Sequence, residues 1–338
     1  MLDTSVGRKC NKDTSARGNT KENPGMANNN TDQSPEAPLV AILLCTYNGE
    51  RFLQEQLDSI ESQQHKNIAI WASDDGSNDD TLNILNEYSN RWGLNRFSTY
   101  TGPQDGFAAN FLSLACNPEI KANYFAFADQ DDVWEVDKLT RAIKHLEKLP
   151  ENEPAIYSSR TTLIDEQGKK KGQSPLFKKK PSFKNALVQS IAAGNTMVMN
   201  KAARNLIYQA GEVQIVSHDW WAYMLVTGAG GTFIYDSYPS VLYRQHNHNV
   251  IGGVIAFSSR LKRILSNQFK ERNTINVAAL DEAHSLFTQA NQHLLNQYKL
   301  SRTGKLKQRL TCIKKSGVYR QTLTGQLGLF AATLLNKL

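Results

Sequence analysis

Cysteine is scarce in this chain of 338 residues: Cys10, Cys45, Cys116 and Cys312 stand far apart and share no spacing suited to a metal. That argues against a disulfide framework and a thiolate metal site, and it fits a reducing, cytoplasmic setting. Long apolar runs are missing too. The longest candidate, Leu327 to Leu335, is about half of the ~20 residues that a membrane span requires. Residues 1–38 contain no apolar core, so no secretory signal is expected there, and their Asn, Thr, Lys, Gly and Pro content reads as a disordered tail. There is no P-loop, and Gly228-Ala-Gly230-Gly231 does not make a dinucleotide fingerprint. Internal repeats are absent. So are acidic residues from 301–338, where eight Lys or Arg stand.

What is present calls for an anionic partner. The formal charge is +7, which suits a nucleic acid, a membrane surface or a nucleotide. The cations gather in Lys169, Lys170, Lys171, Lys178, Lys179 and Lys180 and near the C-terminus, without an aromatic platform or a known binding motif. No nucleic-acid partner is therefore expected. The lysine loop reads as mobile and solvated. The C-terminal cations interleave with Leu306, Leu310, Ile313 and Val318, the pattern of an amphipathic segment on an anionic membrane.

The chemistry concentrates in Tyr124-Phe-Ala-Phe-Ala-Asp129-Gln130-Asp131-Asp132-Val133-Trp134. An aromatic, apolar run suited to a buried strand ends in three carboxylates within four residues. Crowded carboxylates repel one another unless a cation or hydrogen-bond donors lie among them. Such oxygen ligands suit Mg²⁺ or Mn²⁺, which commonly sits between one or two carboxylates and substrate phosphates. Asp132 could instead cap a helix starting near Glu135, but a cap uses one carboxylate of the three. Asp129 and Asp131 are therefore expected to form a metal–diphosphate site.

Leu39 to Cys45 is a continuous apolar run, suited to a strand buried on both faces. It stops at Thr46-Tyr47-Asn48, and a helical pattern follows. A second strand, Ile68 to Ala72, ends in Ser73-Asp74-Asp75-Gly76-Ser77. A helix through Leu85, a short strand at Phe97 and a helix containing Asn110 precede the acidic stretch. Alternation of this kind predicts an α/β fold with a Rossmann-like, mostly parallel sheet flanked by helices. Ligands bind such sheets beyond the carboxyl ends of the strands. Three polar clusters fall at three such ends, so one pocket can use all of them. Further strands are expected at Ala155–Ser159, Thr161–Ile164, Thr196–Met199, Thr232–Tyr235 and Ser240–Tyr243, with a helix opening at Ser217-His218-Asp219-Trp220-Trp221. From about Ala256 the chain reads as a helical extension.

Cys45-Thr-Tyr-Asn48, Asp74-Asp-Gly-Ser77 and Asp129-Gln-Asp-Asp-Val-Trp134, in this order and spacing, resemble the family 2 glycosyltransferases of GT-A fold. His218-Asp-Trp-Trp221, Tyr243-Arg-Gln-His246 and Asn249-Val-Ile-Gly252 look like the bacterial rhamnosyltransferases that build O-antigen and other cell-wall polysaccharides. The resemblance covers roughly residues 39–255, divided into a nucleotide-binding half, 39–150, and an acceptor-binding half, 151–255, with 256–338 a basic helical region. It implies an inverting transferase that takes L-rhamnose from dTDP-L-rhamnose to a lipid-linked saccharide, as a peripheral protein on the inner face of the cytoplasmic membrane.

Site roles follow from that resemblance. Tyr47 would lie against the nucleotide base and Asp74 would hydrogen-bond it, with Asp75, Thr46, Asn48, Asn110 and Gln130 around the donor. Asp131 would bind the Mg²⁺ or Mn²⁺ directly, Asp129 the ribose or the same metal, and His246 would be a further ligand. Asp219 would be the general base, taking the acceptor proton as its oxygen attacks opposite the departing nucleoside diphosphate. The transition state resembles an oxocarbenium ion, as in glycoside hydrolysis. His218 replaces the commoner Glu ahead of this Asp. Trp134, His218, Trp220 and Trp221 are candidates for acceptor contact, or else fill the core. No Gln-x-x-Arg-Trp motif of processive synthases is present. A UDP-sugar donor is the alternative within the same chemistry. A sugar nucleotidyltransferase would need a Gly-rich, Arg-bearing loop after the first strand, and Thr46-Tyr47-Asn48-Gly49-Glu50 supplies none.

Overall fold

A computed structural model describes residues 37–191, 193–246 and 268–338, and among them nine strands form one sheet. The strands are β1 (Val40–Thr46), β2 (Ile68–Asp74), β3 (Phe97–Thr101), β4 (Tyr124–Ala128), β5 (Val133–Trp134), β6 (Ala155–Ile164), β7 (Lys170–Gln173), β8 (Val198–Asn200) and β9 (Thr232–Arg244). Their order is β3-β2-β1-β4-β8-β6-β9-β5, with β7 added to β6. From β3 to β4 every pairing is parallel, and β1 is buried along its whole length. Beyond β4 the sheet is mixed, because β8 enters antiparallel to both β4 and β6. The expected α/β architecture is the one observed.

Alternation along β1 builds the core. Ala41, Leu43 and Cys45 face an apolar cluster with Phe111, Phe127 and Trp221, while Val40, Ile42 and Leu44 face another with Leu57, Leu85 and Leu139. Two pairs of short strands expected from the sequence are each one bent strand. The register of β6 against β9 slips at Ser159/Arg160, where Ser159 pairs with Asp236 and Arg160 with Pro239. Pro239 has no N–H to give the ladder, and the bulge absorbs the extra residues.

The helices are α1 (Leu53–Glu61), α2 (Thr81–Trp92), α3 (Gly106–Ala115), α4 (Lys138–Leu146), α5 (Phe183–Ala186), α6 (Lys201–Ala210), α7 (His218–Gly228), α8 (Gln268–Glu282), α9 (Gln289–Thr303), α10 (Leu306–Ser316) and α11 (Leu323–Leu334). The last four supply Leu280, Leu295, Ile313 and Leu329 to the cluster around Trp221, so the extension shares the core. Ala37 and Pro38, expected to belong to the tail, are held by their carbonyls, which accept from Asn67 (2.6 Å) and meet His65 (2.8 Å). Residues 1–36, the Asn249–Gly252 motif and the expected boundary at 255 lie outside the described residues.

Candidate active site

Parallel register assembles the site. Thr46 pairs with Asp74 and Leu44 with Ala128, so the three polar clusters leave the sheet together at one edge. The Gln130 amide accepts from the Tyr47 N–H (2.8 Å) and donates to the Tyr47 carbonyl (2.9 Å). Both of its ends are thus used to hold the loop after β1, which moves Gln130 from the expected donor contact to a bracing role. The Tyr47 ring is left 56% exposed, available to a planar base. Asn48 sits at φ +48°, a conformation Asn tolerates. Its N–H donates to Ser77 Oγ and its Oδ1 accepts from the Asn78 N–H, both at 2.8 Å.

The adjacent acids Asp74 and Asp75 are not equivalent. Asp74 is buried and accepts from Thr46 Oγ1 (2.8 Å), Ser77 Oγ (2.5 Å) and the N–H groups of Ser77 (2.8 Å) and Gly76 (3.2 Å). Four bonds saturate that carboxylate, so Asp74 and Thr46 brace the turn instead of reaching a ligand. Asp75 is only partly buried and accepts one N–H per oxygen, from Gln104 (2.6 Å) and Gly106 (3.1 Å). It keeps acceptor capacity for a ligand. Asn110, expected near the donor, is buried and donates to the Ser73 carbonyl (3.0 Å). It supports the end of β2 from beneath.

The acidic stretch meets the end of β9. His246 Nε2 lies 2.6 Å from Asp131 Oδ2. Arg244, 1% exposed, spreads its guanidinium over several groups. It donates to the carbonyls of Asp131 (3.0 Å) and Glu166 (3.2 Å) and to Glu55 Oε2 (2.5 Å), and lies 4.5 Å from the Phe52 ring centre. Asp132 does not cap a helix: it is fully buried, taking the Arg244 N–H (3.1 Å) on one oxygen and Asn195 Nδ2 (2.5 Å) on the other. The third acid therefore ties β9 and the 194–196 turn to the acidic loop. The Arg244 network, Glu55 and Asn195 were not identified as site residues from the sequence. Arg244 had a signal in its motif; Asn195 and Glu55 had none.

Asp129 is held well above the usual carboxylate range, at about 8, by burial and by the like charges of Asp131 and Asp219. Asp219 is tied to this region through the 194–196 turn: Gly194 packs against His218 and Asp219, and its neighbour Asn195 donates to Asp132 (2.5 Å). Among the described residues no three His, Cys, Asp or Glu side chains form a ready metal cage. A Mg²⁺ or Mn²⁺ completed by substrate oxygens does not need one, and the imidazole and carboxylate that do meet there, His246 and Asp131, fit such an ion.

Asp219 is in the first turn of α7, partly exposed, with Oδ1 accepting the Trp220 N–H at 2.6 Å. The four residues expected at an acceptor lie inside the protein. Trp221 is fully buried, Trp220 donates its Nε1–H to the Ala186 carbonyl (2.7 Å), and Trp134 packs under the ammonium of the buried Lys138, 3.4 Å from its ring centre. His218 is stacked on Phe111 at 3.8 Å with Phe127 edge-on at 4.7 Å, and neither ring nitrogen has a hydrogen-bond partner. Side chains so enclosed offer an acceptor almost no surface; His218, Trp220 and Trp221 form the wall behind Asp219, while Trp134 packs in the other core cluster.

That wall carries two predictions. Burial among aromatic rings lowers the His218 imidazole to about 4, against the weaker opposing pull of Asp219. The unfolded chain binds this proton near 6.5. The contribution is full above that value and is lost as pH falls from about 6.5 toward 4. Between about pH 7 and pH 5 the loss should be about 2 kcal/mol. Urea titrations of the protein and of His218→Gln at both pH values check it, since the variant should lack that portion of the acid sensitivity. Second, a Cβ on Gly194 would stand 2.3 Å from His218 Nε2 and 3.4 Å from Asp219 Cβ. The ring has no room to retreat. Gly194→Ala should displace α7's first turn, destabilise by about 1–3 kcal/mol and lower kcat on the order of 100-fold, with donor Kd unchanged.

Residues 41–206 match the family model described as Glycosyl transferase family 2. The dTDP-rhamnosyl transferase RfbG of Shigella flexneri is 31% identical over 240 residues, which cover 65% of this chain and 78% of that protein. The UDP-Glc:alpha-D-GlcNAc-diphosphoundecaprenol beta-1,3-glucosyltransferase WfaP of Escherichia coli is 32% identical over 109 residues, 32% of this chain and 41% of its own length. Residues 1–349 of S. aureus TarS, solved in complex with UDP-GlcNAc, superpose with a TM-score of 0.51 at 14% identity, covering 88% of each chain. At that identity the likeness bears on the fold alone.

Proposed function

Because this chain belongs to glycosyl transferase family 2, we propose that it moves L-rhamnose, with inversion, from dTDP-L-rhamnose to a saccharide acceptor carried on a lipid at an anionic membrane. The family assigns a glycosyltransferase using a nucleotide-sugar donor. The rhamnosyl donor is supported by the likeness to RfbG, and the lipid-linked acceptor by the name of WfaP. The observation that carries the reading is the shared sheet edge: the ends of β1, β2 and β4 leave the sheet together, with Tyr47 exposed and Asp131 meeting His246 at 2.6 Å.

Tyr47 stacks on the base, and Asp75 accepts from its N–H. Asp131, His246 and Asp129 would hold the Mg²⁺ or Mn²⁺, which when bound supplies positive charge to the leaving diphosphate. Asp219 does the acid–base work. Its Oδ1 is fixed by the Trp220 N–H, leaving Oδ2 to take the acceptor proton. The neutral His218 behind it keeps the wall uncharged. One base is enough, since the departing diphosphate needs no protonation from this chain.

Purified full chain should release dTDP from dTDP-L-rhamnose slowly by hydrolysis, and faster with acceptor, only when Mg²⁺ or Mn²⁺ is present. Preference for a UDP-hexose would select the alternative donor, which WfaP's name favours. No turnover of any sugar nucleotide would reject the assignment.

A further inference from the structure

We propose that α11 and the lysine segment packed at its start form one docking face for an anionic lipid bilayer. Leu323, Leu327, Phe330 and Leu334 recur at i, i+4, i+7 and i+11 and share one face of the helix. All four are exposed, Leu323 at 76% and Leu327 at 61%, while Leu329, Ala332 and Thr333 turn into the core. Exposed Leu306 and Leu310 of α10 extend this surface, because Arg309 donates to the Leu334 carbonyl (3.1 Å) and brings the two helix ends together. Ile313 and Val318, expected on the same amphipathic face, are buried. Among the described residues no helix is long and apolar enough to cross a membrane, so this face lies along a surface.

The loop expected to be mobile is stitched to this region. The Lys179 N–H donates to Gln321 Oε1 and Gln321 Nε2 donates back to the Lys179 carbonyl, both at 2.9 Å. Lys179 Nζ donates to the Arg320 carbonyl (2.8 Å), and Asn185 Nδ2 to the Tyr319 carbonyl (2.9 Å). Exposed Lys178, Lys180 and Lys184 therefore stand beside the start of α11, with Lys314 and Lys315 at the end of α10. Cations from two distant segments flank one apolar stripe. Charge selects the occupant: no Asp or Glu occurs in 301–338, so two copies meeting through this face would set like charges together. Anionic phospholipid complements both the charge and the apolar stripe.

This face deepens the membrane part of the proposed function, whereas donor hydrolysis in solution tests the chemistry separately. Flotation of the full chain with phosphatidylglycerol/phosphatidylcholine vesicles should show binding that pure phosphatidylcholine vesicles lack. The triple variant Lys178→Glu, Lys180→Glu, Lys184→Glu should weaken partitioning by at least ~100-fold, at roughly fivefold for each cation lost. Leu327→Glu with Phe330→Glu should abolish it, with donor hydrolysis unchanged as proof of folding. An environment-sensitive dye on Leu327→Cys should shift to the blue on anionic vesicles only. Binding that survives both sets of substitutions, or no binding to either vesicle, overturns the proposal. So does a dimer in solution that Leu327→Glu with Phe330→Glu dissociates.

Discussion

Asp219→Asn should leave a folded, donor-loaded protein that no longer transfers sugar, with kcat lowered on the order of a thousandfold. Asn keeps the shape and can still accept the Trp220 N–H through Oδ1, so the start of α7 should not move. What disappears is the basic oxygen that receives the acceptor proton. The substitution also removes one of the two negative charges that hold the Asp129 carboxyl at about 8. Asp129 should then ionise more readily, and divalent-cation affinity at neutral pH should stay level or rise. Steady-state transfer assays and titration of dTDP with Mn²⁺ separate the two effects. Transfer near the native rate would place the base elsewhere. Parallel loss of nucleotide binding would make Asp219 a donor ligand.

The convergence of the three polar clusters was legible because it rests on chain geometry. Parallel strands send their carboxyl ends to one edge, so Thr46, Asp74 and Asp129 had to emerge together once β1, β2 and β4 were recognised. Which member of a polar cluster faces the ligand was not legible. Asp74, the last residue of β2, turns inward onto Thr46 and Ser77, while Asp75, one residue on, stays partly open. Adjacent carboxylates look alike in a motif, and the turn beyond the strand decides between them.

The tryptophans show the same limit from the other side. In His218-Asp-Trp-Trp-Ala-Tyr-Met-Leu-Val-Thr-Gly228, ten of eleven residues are buried, all but Asp219. A helix so apolar around its circumference belongs in a core, and that signal outweighs the aromatic's affinity for sugars. The lysine loop was beyond reach for a different reason. Its partners, Tyr319 to Gln321, lie about 140 residues away in sequence, and local composition carries no trace of a contact that distant.

Asp131→Asn should remove the cation-dependent part of donor binding, lowering kcat/KM on the order of a thousandfold. The fold holds Asp131 in place through both its backbone and its side chain. Its carbonyl is gripped by the Arg244 guanidinium (3.0 Å), its carboxylate meets His246 Nε2 (2.6 Å), and its neighbour Asp132 is bonded to the Arg244 N–H (3.1 Å). These contacts fix the carboxylate before any ligand arrives, so an amide there loses charge without losing position. Asp129 differs, because like charges and burial favour its protonated form in the free protein. Asp129→Asn should therefore cost less than Asp131→Asn. His246→Ala should fall between native and Asp131→Asn, removing one ligand while leaving the carboxylate. Titration of dTDP with and without Mn²⁺ reads all three. Native protein should bind dTDP far more tightly with the cation than without, and Asp131→Asn should bind it equally weakly in both. If Asp131→Asn retains the full cation-dependent gain, the ion is held by other groups and the acidic loop has only a structural role.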